Sequence, residues 1–190
     1  MNKKNFKLDQ NTALVIIDAQ KGFDEPNWGV RNNLFAEENI SKLLKAWRKA
    51  KRPIFHVKHD STEPNSPLRS NLPGNEIKDI VKPQANEPLI IKRVNSAFIK
   101  TDLEKRLREN GIKILVIVGL TTDHCVSTTA RMAGNLGFKV YVVSDATATF
   151  DRKGFNEKHY SAEEMHQSAL VSLQNEFATI VDTESLIALF

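Results

Sequence analysis

Cysteine is almost missing from this chain. Cys125 is the only one in 190 residues, so no internal disulfide can form and nothing points to an oxidising compartment. Long apolar runs are missing too: none approaches the roughly eighteen residues of a membrane helix. The charged N-terminal segment MNKKNFKLDQN is followed by only a short apolar stretch, too short and too late for a signal-peptide core. Together these absences lead to the expectation of a soluble, cytoplasmic protein with no membrane partner. No charge sign dominates either. Lys and Arg number 27 against 23 Asp and Glu, a net of +4, and the signs are interspersed, as in AEENISKLLKAWRKAK. That is a solvated helix face rather than a nucleic-acid footprint. With 41% hydrophobic residues and no repeat, low-complexity tail or linker, residues 1–190 read as a single domain.

Short apolar runs recur along the chain: ALVIID (13–18), PIFHVKH (53–59), PLIIKR (88–93), ILVIVG (114–119), KVYVVSD (139–145) and FATIVD (177–182). Most are continuous and rich in Val and Ile rather than alternating, as strands buried on both faces are. Between them lie segments of helical period at 36–51, 101–111, 123–137 and 161–176. The alternation predicts an α/β fold of three layers, α-β-α, with a Rossmann-like parallel sheet. Helix punctuation agrees: Thr101 and Glu104 have capping-box spacing, and Gly111 and Gly137 stand where a helix C′ residue belongs. The segment 60–87 is the exception. It holds four of the seven prolines and few apolar residues, which suggests a lid, a binding loop or an oligomer contact.

In open α/β sheets ligands bind at the carboxyl ends of the strands. Three reactive side chains end or follow predicted strands: Asp18, Lys92, and Cys125, which lies six residues past Gly119. Each type has a chemical reason to be there. The first turn of a helix favours a thiolate, a neighbouring carboxylate can take the thiol proton, and a lysine offsets the repulsion between the two anions. The amides around Thr121 and Cys125, in a tight strand-to-helix turn, are candidates for an oxyanion hole. Taken singly, each residue has an ordinary structural reading as well: a buried thiol, a helix cap, a solvated lysine. Their convergence at three strand ends gives the catalytic reading its weight. A nucleotide-binding reading is disfavoured, since DAQKGF and not G-x-G-x-x-G follows the first strand.

The blocks ALVIIDAQKGF, IIKRVNSAFIKTDLEKRL and VIVGLTTDHCVSTTARMAGNLGFKVYVVSDATATF resemble, in order and spacing, the signatures of the isochorismatase-like cysteine hydrolase superfamily. That group includes nicotinamidases, N-carbamoylsarcosine amidases and streptothricin-type hydrolases. The resemblance covers about residues 12–182. It implies a six-stranded parallel sheet, a triad of Asp18 as base, Lys92 as electrostatic partner and Cys125 as nucleophile, and a non-proline cis peptide at Leu120–Thr121. It also implies an oxyanion hole from the Thr121 and Cys125 amides, and a homodimer or homotetramer.

Within that resemblance, nicotinamidases carry Asp-x-His and further histidines after the second strand to hold a metal. Here FHVKHDS stands instead, with His56 and His59 on opposite faces of a strand, so no metal and no cofactor is expected. The presence of Cys125 favours covalent hydrolysis of a small-molecule amide, carbamoyl or lactam C–N bond. The alternatives are vinyl ether hydrolysis, or a non-catalytic or thiol-redox protein on the same fold. Candidate substrate-binding residues are Phe23, Trp28, His59, Phe98 and Phe150, with Gln20, Ser96 and Thr122 as polar support. His124 is a candidate pocket wall, and His166 is read as a helix-surface or interface residue.

Overall fold

A computed structural model of the chain describes residues 8–190. All six apolar runs are strands: β1 (Ala13–Ile17), β2 (Ile54–His59), β3 (Leu89–Lys92), β4 (Ile114–Leu120), β5 (Lys139–Ala148), with the short hairpin β6 (Arg152–Lys153) and β7 (His159–Tyr160) preceding β8 (Thr179–Val181). Six of them form one parallel sheet in the order β3-β2-β1-β4-β5-β8. The order runs outward in both directions from β1 and β4, so the topological switch point lies between those two strands.

Successive residues of the central strands bury into opposite layers, which is why their sequences do not alternate. Val15 and Ile17 of β1, with Leu115 and Ile117 of β4, join one cluster; Leu14 and Ile16, with Val116 and Val118, join the other. The first cluster is covered by α2 (Leu103–Glu109), α3 (Ser127–Asn135) and α4 (Ala162–Leu173), through Leu107, Ala130, Ala133 and Leu170. The second is covered by α1 (Ala36–Lys49) and α5 (Thr183–Ile187), through Ile40, Leu43, Trp47 and Leu186. Each fully buried Leu, Ile or Val contributes about 1.5–3 kcal/mol over its exposed state. No helix among the described residues is long and apolar enough to cross a membrane.

Two details of punctuation differ from the sequence reading. Thr101 is not a capping-box residue. Its hydroxyl donates to the Ala97 carbonyl at 2.6 Å, the N-cap of α2 is Asp102, and Glu104 pairs with Arg108 at 2.8 Å. The capping box is instead at the start of α4, where Ser161 and Glu164 satisfy each other's backbone N–H. Gly111 and Gly137 do end α2 and α3, with φ of 64° and 85°.

Candidate active site

The switch point is built by an unusually close approach of β1 and β4. Gly119 pairs with Ile17 and has φ of 120°; a Cβ there would lie 1.9 Å from the Ile17 carbonyl oxygen. Only glycine lets the end of β4 lie against the end of β1, and so brings the segment after β4 beside Asp18. Asp18 itself turns out of β1 with φ of 46°, a left-handed conformation that Asp tolerates better than most residues. Its backbone is fixed by hydrogen bonds from Asp18 N to the Val57 carbonyl and from Gln20 N to its own carbonyl, at 2.9 and 2.8 Å.

The segment after β4 begins with a cis Leu120–Thr121 peptide and continues as a π-helical turn, Thr122–Val126, before α3 starts at Ser127. Cys125 therefore lies in this wide turn and not in the first turn of an α-helix. Such turns inside helices occur often at functional sites. Within it, the N–H groups of His124 and Val126 both reach the Thr121 carbonyl, at 3.2 and 3.1 Å. Among the described residues the N–H group of Thr121, between β4 and the turn, donates to no backbone carbonyl. Val126, Ala130 and Ala133 are fully buried and anchor the turn and α3 in the core.

Lys92, at the end of β3, joins the strand ends into one cluster. Its ammonium lies 2.6 Å from Asp18 Oδ2, 3.3 Å from Cys125 Sγ and 3.0 Å from His59 Nδ1. Asp18 and Lys92 are 0% and 1% exposed, Cys125 9%. An ammonium can only donate, so His59 Nδ1 is the acceptor of that contact. Burial, and secondarily the Lys92 charge, push the His59 pKa down.

One cation thus faces two acids in a dry site. Burial raises the Asp18 pKa, partly offset by Lys92, and burial together with the Asp18 charge pushes the Cys125 thiol up to about 12. The expected resting thiolate is therefore corrected: one ammonium holds one anion, and that anion is Asp18, with the proton on sulfur. Both Asp18 oxygens lack an aligned hydrogen bond among the described residues, although Oδ2 is in ion-pair contact with Lys92. The carboxylate is thus an available proton acceptor.

The cluster opens on a cavity of about 450 Å³ lined by Phe23, Trp28, His59, Asn27, Asn95, His124 and much of the loop 61–68. The other expected pocket residues stand behind it. Gln20 is fully buried and straps strand ends together, donating to the His59 and Asn75 carbonyls and accepting from His59 N at 2.8 Å. Phe150 stacks on Phe23 and Trp28 from behind, at centroid distances of 6.2 and 5.7 Å. Phe98 belongs to the core and stacks on Phe138, and the Ser96 hydroxyl accepts from Phe98 N at 3.3 Å. Thr122 Oγ1 meets His166 Nδ1 at 2.9 Å. His166 is only 2% exposed, so it is no surface residue: it backs the π-helical turn. Asn27, Asn95 and the 61–68 stretch carry no periodic signal that would single them out from sequence. The buried Asn75, which holds the Leu68 carbonyl at 2.6 Å and so anchors the loop, carries none either.

The donor atoms of Asp18, His59 and Cys125 lie within 4.8 Å of one another, a spacing that could hold a metal. These residues do not fit one: the Lys92 ammonium already stands among the three. His56 points to the other face of β2, 2.9 Å from Glu87, whose carboxylate Arg48 also holds at 2.7 Å.

A buried Asp-Lys-Cys cluster with a single thiol at its centre thus stands at the switch point of a doubly wound sheet and opens on a small cavity. Residues 12–185 match the isochorismatase domain, and the chain belongs to the isochorismatase family, whose members are generally hydrolases. It is 49% identical to the uncharacterized isochorismatase family protein YrdC of Bacillus subtilis, over 95% of this chain and 96% of that one. It is 30% identical to Nicotinamidase 3 of Arabidopsis thaliana, over 95% and 90% of the two chains. The crystal structure of an isochorismatase-family protein from Chromobacterium violaceum superposes with a TM-score of 0.94 at 40% identity, covering 97% of this chain and 96% of that one.

Proposed function

We propose that this protein is a cysteine amidohydrolase that cleaves the C–N bond of a small amide through a Cys125 thioester, without a metal. The observation that carries this reading is the ammonium of Lys92 within 3.3 Å of both the Cys125 sulfur and the Asp18 carboxylate. Substrate enters with its carbonyl carbon over Sγ. As sulfur attacks, its proton passes to Asp18, and Lys92, whose charge neutralised the carboxylate, now faces the developing charge on the substrate side. The carbonyl oxygen becomes an oxyanion, for which the amides of Thr121 and Cys125 are the donors. Asp18 then returns the proton to the leaving nitrogen, and ammonia or an amine departs. Water attacks the thioester, losing a proton to Asp18; the acid is released and the thiol regains its proton.

The relative named Nicotinamidase 3 supports the amide reading. The experiment is ammonia release from a panel of primary amides, ureido acids and lactams, with Cys125→Ala, Asp18→Asn and Lys92→Ala beside the wild type. At least one class of amide is turned over by the wild type, and each substitution lowers that turnover by about a hundredfold or more. Wild-type turnover in all three variants overturns the assignment.

A further inference from the structure

The cavity wall is one-sided in charge. Asp18 apart, Glu63 is its only carboxylate, and no Lys or Arg side chain is found among the described residues that line it. Lys92 lies behind the wall, held by Asp18, His59 and Cys125. The guanidinium groups that neighbour the wall in sequence do not line it, although Arg69 is held by the carbonyl of a wall residue beside Glu63. Arg93 faces Asp60 at 3.4 Å, Arg152 faces Asp123 at 3.3 Å, and Arg69 donates to the Pro64 carbonyl. The two wall histidines are also turned to partners, His59 to Lys92 at 3.0 Å and His124 to Asp123 at 3.5 Å.

Glu63 differs from these. It has no ion-pair partner among the described residues and stands exposed on the loop. Its backbone is held: Glu63 N donates to Ser61 Oγ at 3.2 Å, and Ser66 N donates to the Glu63 carbonyl at 3.1 Å. The residue is therefore fixed on a closed turn at the cavity wall, with its side chain exposed. The same wall carries the rings of Phe23 and Trp28, 5.1 Å apart, whose faces attract a cation as well as apolar groups.

We propose that the cavity takes small amides without a carboxylate, and that Glu63 gives it a preference for those bearing a basic nitrogen. This rests on the amidohydrolase reading of the same site. An anionic substrate would lose its hydration on entering, meet no cation on the wall, and be repelled by Glu63. A cationic one meets a free carboxylate on a wall that also carries two aromatic rings.

Because Cys125 is the only thiol, reagents that modify it read the cavity alone. The full chain is treated with three methanethiosulfonates of similar size, ending in an ammonium, a methyl or a sulfonate group. Each rate is divided by its rate on the urea-unfolded chain. The expected order is ammonium, methyl, sulfonate, with about tenfold between the extremes; in Glu63→Gln the ammonium-to-methyl ratio falls about threefold. A sulfonate rate equal to or above the ammonium rate overturns the proposal, as does an ammonium-to-methyl ratio unchanged in Glu63→Gln or a thiol that no reagent reaches. In parallel, ammonia release is followed from hexanamide, 6-aminohexanamide and the monoamide of adipic acid. If neither these three nor any amide of the panel above is hydrolysed while the reagents keep their order, the amidase reading fails and the charge selection stands. If the adipic monoamide is hydrolysed best, the charge selection fails and the amidase reading stands.

Discussion

In the proposed reaction Cys125 does not act as a standing thiolate. Burial and the Asp18 charge hold its thiol at about 12, so sulfur becomes nucleophilic only as its proton leaves for Asp18. This gives Asp18→Asn two opposite effects. Removing the charge that raises the thiol pKa lets thiolate form at lower pH, read by its ultraviolet absorbance from pH 8 upward. Removing the base lowers kcat by about 10²–10⁴-fold. A thiol that titrates higher in the variant, or turnover at the wild-type rate, contradicts the proposed roles. Lys92→Met leaves Asp18 buried without its counter-charge, which costs about 3–5 kcal/mol of stability by urea unfolding. At this scale the sequence was informative for the clustering of Asp18, Lys92 and Cys125, because each stands at or just after a strand end that its apolar run marks. It was less so for the cavity. Phe23 and Trp28 reach it while Phe98 turns into the core, and Gln20 spends its amide on backbone groups. Which side of an irregular backbone a side chain leaves from depends on contacts far away in sequence.

Among the elements, the junction of β1, β4 and the π-helical turn positions the chemistry. Gly119→Ala places a Cβ on the Ile17 carbonyl, and neither backbone can yield without parting the two strands. The expected loss exceeds about 4 kcal/mol, read as insoluble protein or a steeply lowered melting temperature. A variant that folds and melts as the wild type does would remove the close approach from the explanation. Behind the turn, Thr122 is tied to His166; Thr122→Val should lower kcat more than it changes KM, because it loosens the segment bearing the nucleophile. Strand and helix runs were legible because their periods are set by burial on one or two faces. The π-helical turn was not, since one extra residue in a turn leaves no mark on an apolar pattern. The sequence also showed that 60–87 stands apart, although its path depends on Asn75 and Gln20, buried amides outside any period.

For the whole molecule, burial of titratable groups at and behind the site sets how stability varies with pH. His56, His59 and His166 are all lowered by burial from the usual 6.5. Unfolding therefore takes up protons, so their contribution is full above about pH 6.5 and is lost as the pH falls. Glu87, lowered to about 2 from 4.5 chiefly by Arg48 against an opposing effect of burial, adds a second loss between those values. At the other end, a thiol at about 12 when folded and 9.0 when unfolded releases its proton on unfolding, so stability declines from pH 9 towards 12. Cys125→Ser should flatten that alkaline limb in urea midpoints; an identical limb in the variant would place its origin elsewhere.

The most direct test of the covalent route is to trap the intermediate. The enzyme is mixed with an amide it turns over, quenched in acid within the first turnovers, and its Cys125 peptide is weighed by mass spectrometry. A thioester, heavier by the amide minus ammonia and missing in Cys125→Ala, is the predicted result. Full turnover by Cys125→Ala would contradict it.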